Sequence, residues 1–125
     1  MDDPVKSSKD LVSEANQQIE TLSAEEAMKL TSDANIAFVD LREPGEVEKG
    51  SLPSAVHVPR GLLEFQIDPQ SPSHNSKLSG KKMLVLYCGS GGRSALAAKT
   101  SKDMGVTNVA HVAGGFPALQ KARET

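Results

Sequence analysis

The chain has 125 residues, 38% of them hydrophobic and 24% charged, with a formal net charge of −2 and no tryptophan. That length and balance suit one globular domain with a single core of ordinary size. Aromatics at 3% leave no stacking platform for single-stranded nucleic acid, and without a basic block nothing favours a phosphate backbone.

The N-terminal stretch MDDPVKSSKD is polar, has no apolar signal core, and is expected to be weakly ordered. LVSEANQQIE, from Leu11, reads as a short helix, so residues 1–18 form an N-terminal extension to a domain over 19–125. Ser23 and Glu26 have the spacing of a capping box, which predicts a helix over Ala24 to Thr31. IAFVDL, residues 36–41, is short, apolar and partly β-branched, the pattern of a buried strand. REPGEVEKG follows as a short helix ending near Gly50, and Ala55 to Val58 gives a brief strand stopped by Pro59. GLLEFQ is a further short helix. The segment from Gln66 to Ser79, rich in proline and serine, is a surface loop or flap that could cover a pocket or receive a partner.

MLVLY, residues 83–87, is the clearest strand, and SALAAKTSKDM, residues 94–104, the clearest helix, with Gly105 at its C-terminal cap. Val109 to Val112 is the last strand, and FPALQKARE the last helix, with Pro117 in its first turn. Strands alternating with helices predict an α/β fold, a mostly parallel sheet covered on both faces. Ligands of such sheets bind at the carboxyl ends of strands. No apolar run approaches the roughly 18 residues needed to span a bilayer. A single cysteine cannot form an internal disulfide, so a reducing, cytoplasmic compartment is expected.

That cysteine opens YCGSGGRS, residues 87–94, between the best strand and the best helix. A free thiol, with a pKa of about 8.5, is only a few per cent ionised at neutral pH. Here the amides of a helix starting near Arg93 and a nest of loop N–H groups would favour the thiolate. Gly89, Gly91 and Gly92 permit positive φ and close backbone approach. Arg93 adds a permanent charge and a forked donor set that suit an oxyanion, and Ser94 can cap the helix or donate into the loop. Two plainer readings stand beside this one: Cys88 as a small core residue ahead of a tight turn, and a phosphate-binding loop with an incidental cysteine. The second lacks both G-x-G-x-x-G and a P-loop lysine. His57, His74 and His111 show no ligand spacing. His57 and His111 are expected to pack within strands and His74 to be solvated, so no metal is expected.

YCGSGGRS resembles the active-site loop of single-domain rhodaneses, the sulfurtransferases that carry a cysteine persulfide. VDLREPGEVEKGSLPSAVHVPRG, residues 39–61, resembles the family's upstream segment, and NVAHVAGGFPAL its closing one. The similarity runs from about Thr21 to Arg123. It implies a rhodanese-like fold with a five-stranded, mostly parallel sheet and helices on both faces. It implies that Cys88 takes a sulfane sulfur from a small anionic donor such as thiosulfate and yields it to cyanide, a thiol or a protein acceptor, without a cofactor. Amides from Gly89, Ser90, Gly91, Gly92 and Arg93 would hold the persulfide, Arg93 and Ser94 would shape the pocket rim, and Asp40 and Arg42 would support the loop. A surface salt bridge is the competing role for Asp40 and Arg42. Related phosphatases have five residues between cysteine and arginine, where this chain has four, and a histidine where it has Tyr87. Gly50-Ser51 replaces the family's common Gly-His, and Leu119 a common tryptophan; both departures are expected to be structural. A binding module without turnover and a thiol redox sensor remain as alternatives.

Overall fold

The computed structural model describes residues 5–124. Five strands form one sheet: β1 (Glu20–Leu22), β2 (Ile36–Asp40), β3 (Val56–His57), β4 (Met83–Tyr87) and β5 (Val109–Val112). Their order is β1-β5-β4-β2-β3, and every pairing is parallel. The expected α/β architecture is therefore present, with a wholly parallel sheet. Among the described residues six α-helices accompany it: α1 (Ser8–Asn16), α2 (Ala24–Met28), α3 (Pro44–Val47), α4 (Leu63–Ile67), α5 (Gly92–Asp103) and α6 (Gly115–Arg123).

Side chains alternate between the two faces of a strand, and here each face has its own core. Ile36, Phe38, Val85, Tyr87, Ala110 and Val112 pack with Phe116 and Leu119 of α6 and with Ala24 and Ala27 of α2. Ala37, Val39, Leu84, Leu86 and Cys88 pack with Leu63 and Ile67 of α4 and with Ala97 and Ala98 of α5. Each fully buried Leu or Val contributes about 1.5–3 kcal/mol. The small alanines of α5 let its axis lie close to β4, which brings its first turn next to the end of that strand.

Several local expectations are corrected. Helix α1 begins at Ser8, capped by the Ser7 side chain on the Asp10 amide, so the weak order expected for residues 1–10 does not extend past Ser7. Residues 1–4 of that stretch lie outside the described residues. The capping box of α2 forms as predicted, but the helix proper ends at Met28. β1 has no counterpart in the sequence reading. The segment from Gln66 to Ser79 is no flap over the loop of Cys88. It folds at the amino ends of β4 and β5, where Leu78 is buried beside Leu84 and Asn108. His74 is half-buried rather than solvated: its ring nitrogens bond the Gln66 carbonyl and the Ser79 hydroxyl, pinning the segment.

Candidate active site

Cys88 follows β4 at the carboxyl end of the sheet, and α5 starts four residues later. Gly91, the N-cap of α5, has φ +113°, a left-handed conformation open to glycine. This turn aims the Gly91 amide at Cys88 Sγ from 3.1 Å, and the Ser94 amide reaches the sulfur at 3.3 Å. The Ser94 hydroxyl lies 3.5 Å from the same sulfur. Burial works to raise the thiol pKa. The Ser94 hydroxyl and the amides of Ser94, Ser90 and Gly91 outweigh it, and the thiol titrates below its ordinary value. The positive end of the α5 dipole acts in the same sense.

The loop is held from behind by the closing segment. The Phe116 amide donates to the Cys88 carbonyl at 2.8 Å. Gly115, at φ +65°, lies so close that a Cβ there would overlap the Cys88 carbonyl oxygen and sit 2.6 Å from the Gly89 carbonyl carbon. Phe116 in turn carries the Arg42 guanidinium 4.1 Å above its ring.

Asp40 and Arg42 form a buried pair, not a surface one; their side chains are 0% and 7% exposed. Arg42 Nε and Nη2 donate to the two Asp40 carboxylate oxygens at 3.0 and 2.9 Å, and Nη2 also reaches the Gly50 carbonyl at 2.7 Å. Ser51 completes the cluster by donating to Asp40 and meeting the Tyr87 hydroxyl at 3.2 Å. Burial would raise the Asp40 pKa, but its bonds with Arg42 prevail and hold it below the usual carboxylate range. Burial pushes Tyr87 up to about 12, so it stays a neutral phenol. Ser51 thus fills a polar role that the departure from Gly-His did not reveal. Leu119, the other departure, is fully buried in the core.

Arg93 and Ser94 differ from expectation. Arg93 does not face the sulfur as a free cation: it donates through Nη1 and Nη2 to both Glu46 oxygens, at 2.7 and 3.0 Å. The Arg93 bonds pull the Glu46 carboxyl down to about 2. Gly89 makes room for this pair, since a Cβ there would lie 2.8 Å from Arg93 Nη2. Glu46 also closes the capping box of α3 by accepting from the Glu43 amide. Ser94 is fully buried and lies under the sulfur, not on a rim. Gly92 begins α5, and Ser90 is exposed at the mouth of the loop.

His111, expected only to pack, also bonds Ser94 and Asn16. His57 bonds the Arg42 carbonyl at 2.7 Å. Among the described residues no cluster of three or more His, Cys, Asp or Glu side chains could hold a metal. An open cleft lined by Arg42, Glu43, Glu46, Gly89, Phe116 and Gln120 adjoins the loop. A second pocket, near Ile36 and Lys81, lies at the amino end of β2, away from the thiol.

The chain is similar to several known proteins. A sulfurtransferase of Allochromatium vinosum is 28% identical over 90 residues, covering 72% of this chain and 77% of that protein. YrkF of Bacillus subtilis, named provisionally as a sulfur carrier protein, is 33% identical over 88 residues, 70% of this chain and 43% of its own length. The chain spans about 30% of the tRNA uridine(34) hydroxylase of Escherichia coli O1:K1 / APEC, to which it is 31% identical over 106 residues. A solved structure from Rhodopseudomonas palustris CGA009 superposes with a TM-score of 0.90 at 42% identity, covering 98% of this chain and 96% of that one. Its function is unknown, and its description raises tyrosine phosphatase activity as a possibility. Human single-domain sulfurtransferase TSTD1 shares the fold at a TM-score of 0.68 and 23% identity, over 81% of this chain and 95% of that one. The rhodanese-like domain family matches residues 23–122, and the chain belongs to that family.

Proposed function

We propose that the chain transfers sulfane sulfur through a persulfide on Cys88. The observation that carries this reading is the pair of amides, Gly91 and Ser94, on Cys88 Sγ at 3.1 and 3.3 Å. They stabilise a sulfur anion both as the attacking thiolate and as the leaving group. With thiosulfate as donor, the Cys88 thiolate attacks the outer sulfur, the S–S bond breaks, and sulfite leaves with the bonding electrons. An acceptor thiolate or cyanide then attacks the outer sulfur of the persulfide, and Cys88 departs as thiolate. No cofactor enters either half. The amides of Gly89, Ser90, Gly92 and Arg93 complete the cradle, while Asp40 and Arg42 hold its flank through Gly50 and Phe116. Residues 1–18 are an extension to a domain formed by 19–125. A reducing, cytoplasmic setting suits a chain that depends on one free thiol; no helix among the described residues is long and apolar enough to cross a membrane.

A phosphatase reading is weaker. Its arginine would have to grip a phosphate, whereas Arg93 is engaged by Glu46. A redox sensor with one cysteine must take its resolving thiol from another molecule. A binding module has no use for an activated sulfur.

The test is intact mass before and after thiosulfate, in wild type and Cys88→Ser. The expected result is a gain of about 32 Da, one sulfur, that cyanide removes and the variant never shows. An unchanged mass, with p-nitrophenyl phosphate hydrolysed at a rate that depends on Cys88, overturns the reading in favour of phosphatase chemistry.

A further inference from the structure

Three side chains from separate parts of the sequence form one hydrogen-bonded line beneath the nucleophile. Ser94 Oγ lies 3.5 Å from Cys88 Sγ and 2.9 Å from His111 Nδ1, and His111 Nε2 lies 2.8 Å from Asn16 Oδ1. Cys88, Ser94 and His111 are each at most 2% exposed, whereas Asn16 is exposed, so the line runs from the buried sulfur out to the surface. It joins the end of α1 to β5, the first turn of α5 and the loop of Cys88.

The donor directions follow from the partners. Asn16 Oδ1 can only accept, so His111 Nε2 carries a proton. In a neutral imidazole Nδ1 is then bare and accepts from the Ser94 hydroxyl. The lone pairs of Ser94 Oγ are left facing the Cys88 thiol. Burial lowers the basicity of His111, and its neighbours Asn16, Ser94, Thr21 and Leu86 carry no charge. The resting ring is therefore neutral, and its bare Nδ1 is the acceptor in the line.

We propose that Ser94 and His111 form a proton relay for Cys88, with Asn16 fixing the ring. The thiol proton passes to Ser94 Oγ as the Ser94 hydroxyl proton passes to His111 Nδ1. One S–H and one O–H bond break, and one O–H and one N–H bond form, leaving a thiolate and an imidazolium. All three hydrogen bonds survive, two with their sense reversed: Nδ1–H donates to Ser94 and Ser94 donates to the sulfur, while Nε2–H still donates to Asn16. The buried site stays net neutral throughout. When Cys88 leaves the persulfide as thiolate, the reverse transfer restores the thiol. His111 acts through Ser94 and is a positioning residue. The relay rests on Cys88 being the nucleophile of the proposed reaction.

The experiment titrates the full-length protein by thiolate ultraviolet absorbance and by iodoacetamide alkylation rate against pH. The titration midpoint belongs to the thiol and imidazole together. His111→Leu and Ser94→Ala are each expected to raise it by about one unit, slowing alkylation at neutral pH about tenfold, and the double variant should lose no more than either alone. Asn16→Asp keeps the shape and favours the imidazolium, so it should lower the midpoint. A midpoint unmoved in His111→Leu, with only the melting temperature reduced, overturns the relay. If His111→Leu does not fold, an unmoved midpoint in Asn16→Asp overturns it equally. Alkylation needs no sulfur donor, so shifted midpoints in a protein that takes no sulfur from thiosulfate would keep the relay and refute the transfer.

Discussion

Gly115 and Gly105 offer a matched pair for testing the close approach behind the loop. Both have positive φ, +65° and +94°, and both would strain an alanine. They differ in surroundings: a Cβ on Gly105 meets nothing within 4 Å, whereas one on Gly115 meets the backbone of Cys88 and Gly89. Gly105→Ala is expected to lose about 1–2 kcal/mol, the left-handed penalty alone. At about 0.26 kcal/mol/K of unfolding entropy for a chain of this size, that is a fall of about 4–8 °C in Tm. Gly115→Ala adds an overlap with backbone, which cannot swing aside as a side chain can, for about 1–3 kcal/mol more. The relief available is to move the Cys88 carbonyl, which the Phe116 amide holds at 2.8 Å. Displacing the sulfur by about 1 Å should slow transfer about a hundredfold, while Gly105→Ala keeps its rate. The assay is thermal melting with single-turnover transfer from thiosulfate. Equal melting temperatures and equal rates in the two variants would refute the close approach.

Asp40→Asn strips the buried Arg42 of its counter-charge and should destabilise by about 3 kcal/mol in urea unfolding. Because the Asp40 pKa is depressed on folding, the pair's contribution is complete above the unfolded carboxylate pKa and is lost as pH falls through the lower folded value; acid melts of wild type should show this loss and those of Asp40→Asn should not. Glu46→Gln releases Arg93 as an uncompensated cation beside the loop, so the KM for thiosulfate should fall several-fold; an unchanged KM would show that Arg93 is not what limits anion binding. The thiol pKa is also depressed on folding, so stability should rise with pH from the folded thiol midpoint up to the unfolded one and then level off, a rise that Cys88→Ser should lack.

The placement of Cys88 was legible because it needs only local information. MLVLY is apolar at every position, the glycines cannot continue it, and the alanine-rich run after them can only be a helix, so the cysteine falls at a strand's carboxyl end. β1 was not legible: its three residues, Glu20 to Leu22, include one buried side chain, and β5 decides their conformation. The pairing of Arg93 was not legible because its partner lies 47 residues away in α3, and no local pattern ties a capping glutamate to a loop arginine. Two other signals were present and unused. Alternation along β5 sets His111 opposite in face to Ala110 and Val112, and alternation along β4 sets Cys88 with Leu84 and Leu86, so both fall on the α5 side. The segment from Gln66 to Ser79 immediately precedes β4, and a crossover between parallel strands must return to the amino end of the next strand. It could not reach the carboxyl end where Cys88 sits.

The pairing of β1 with β5 has a consequence for how the protein is made. Glu20 and its partner Ala110 are 90 residues apart, so the first strand of this sheet to leave the ribosome pairs with the last. At ordinary translation speeds that interval is roughly 5–20 s. For about the last quarter of it Cys88 has already been synthesised, while Gly115 and Phe116, which brace its carbonyl, have not. The loop around the one thiol is therefore unfinished in the nascent chain until residues still to come have been added.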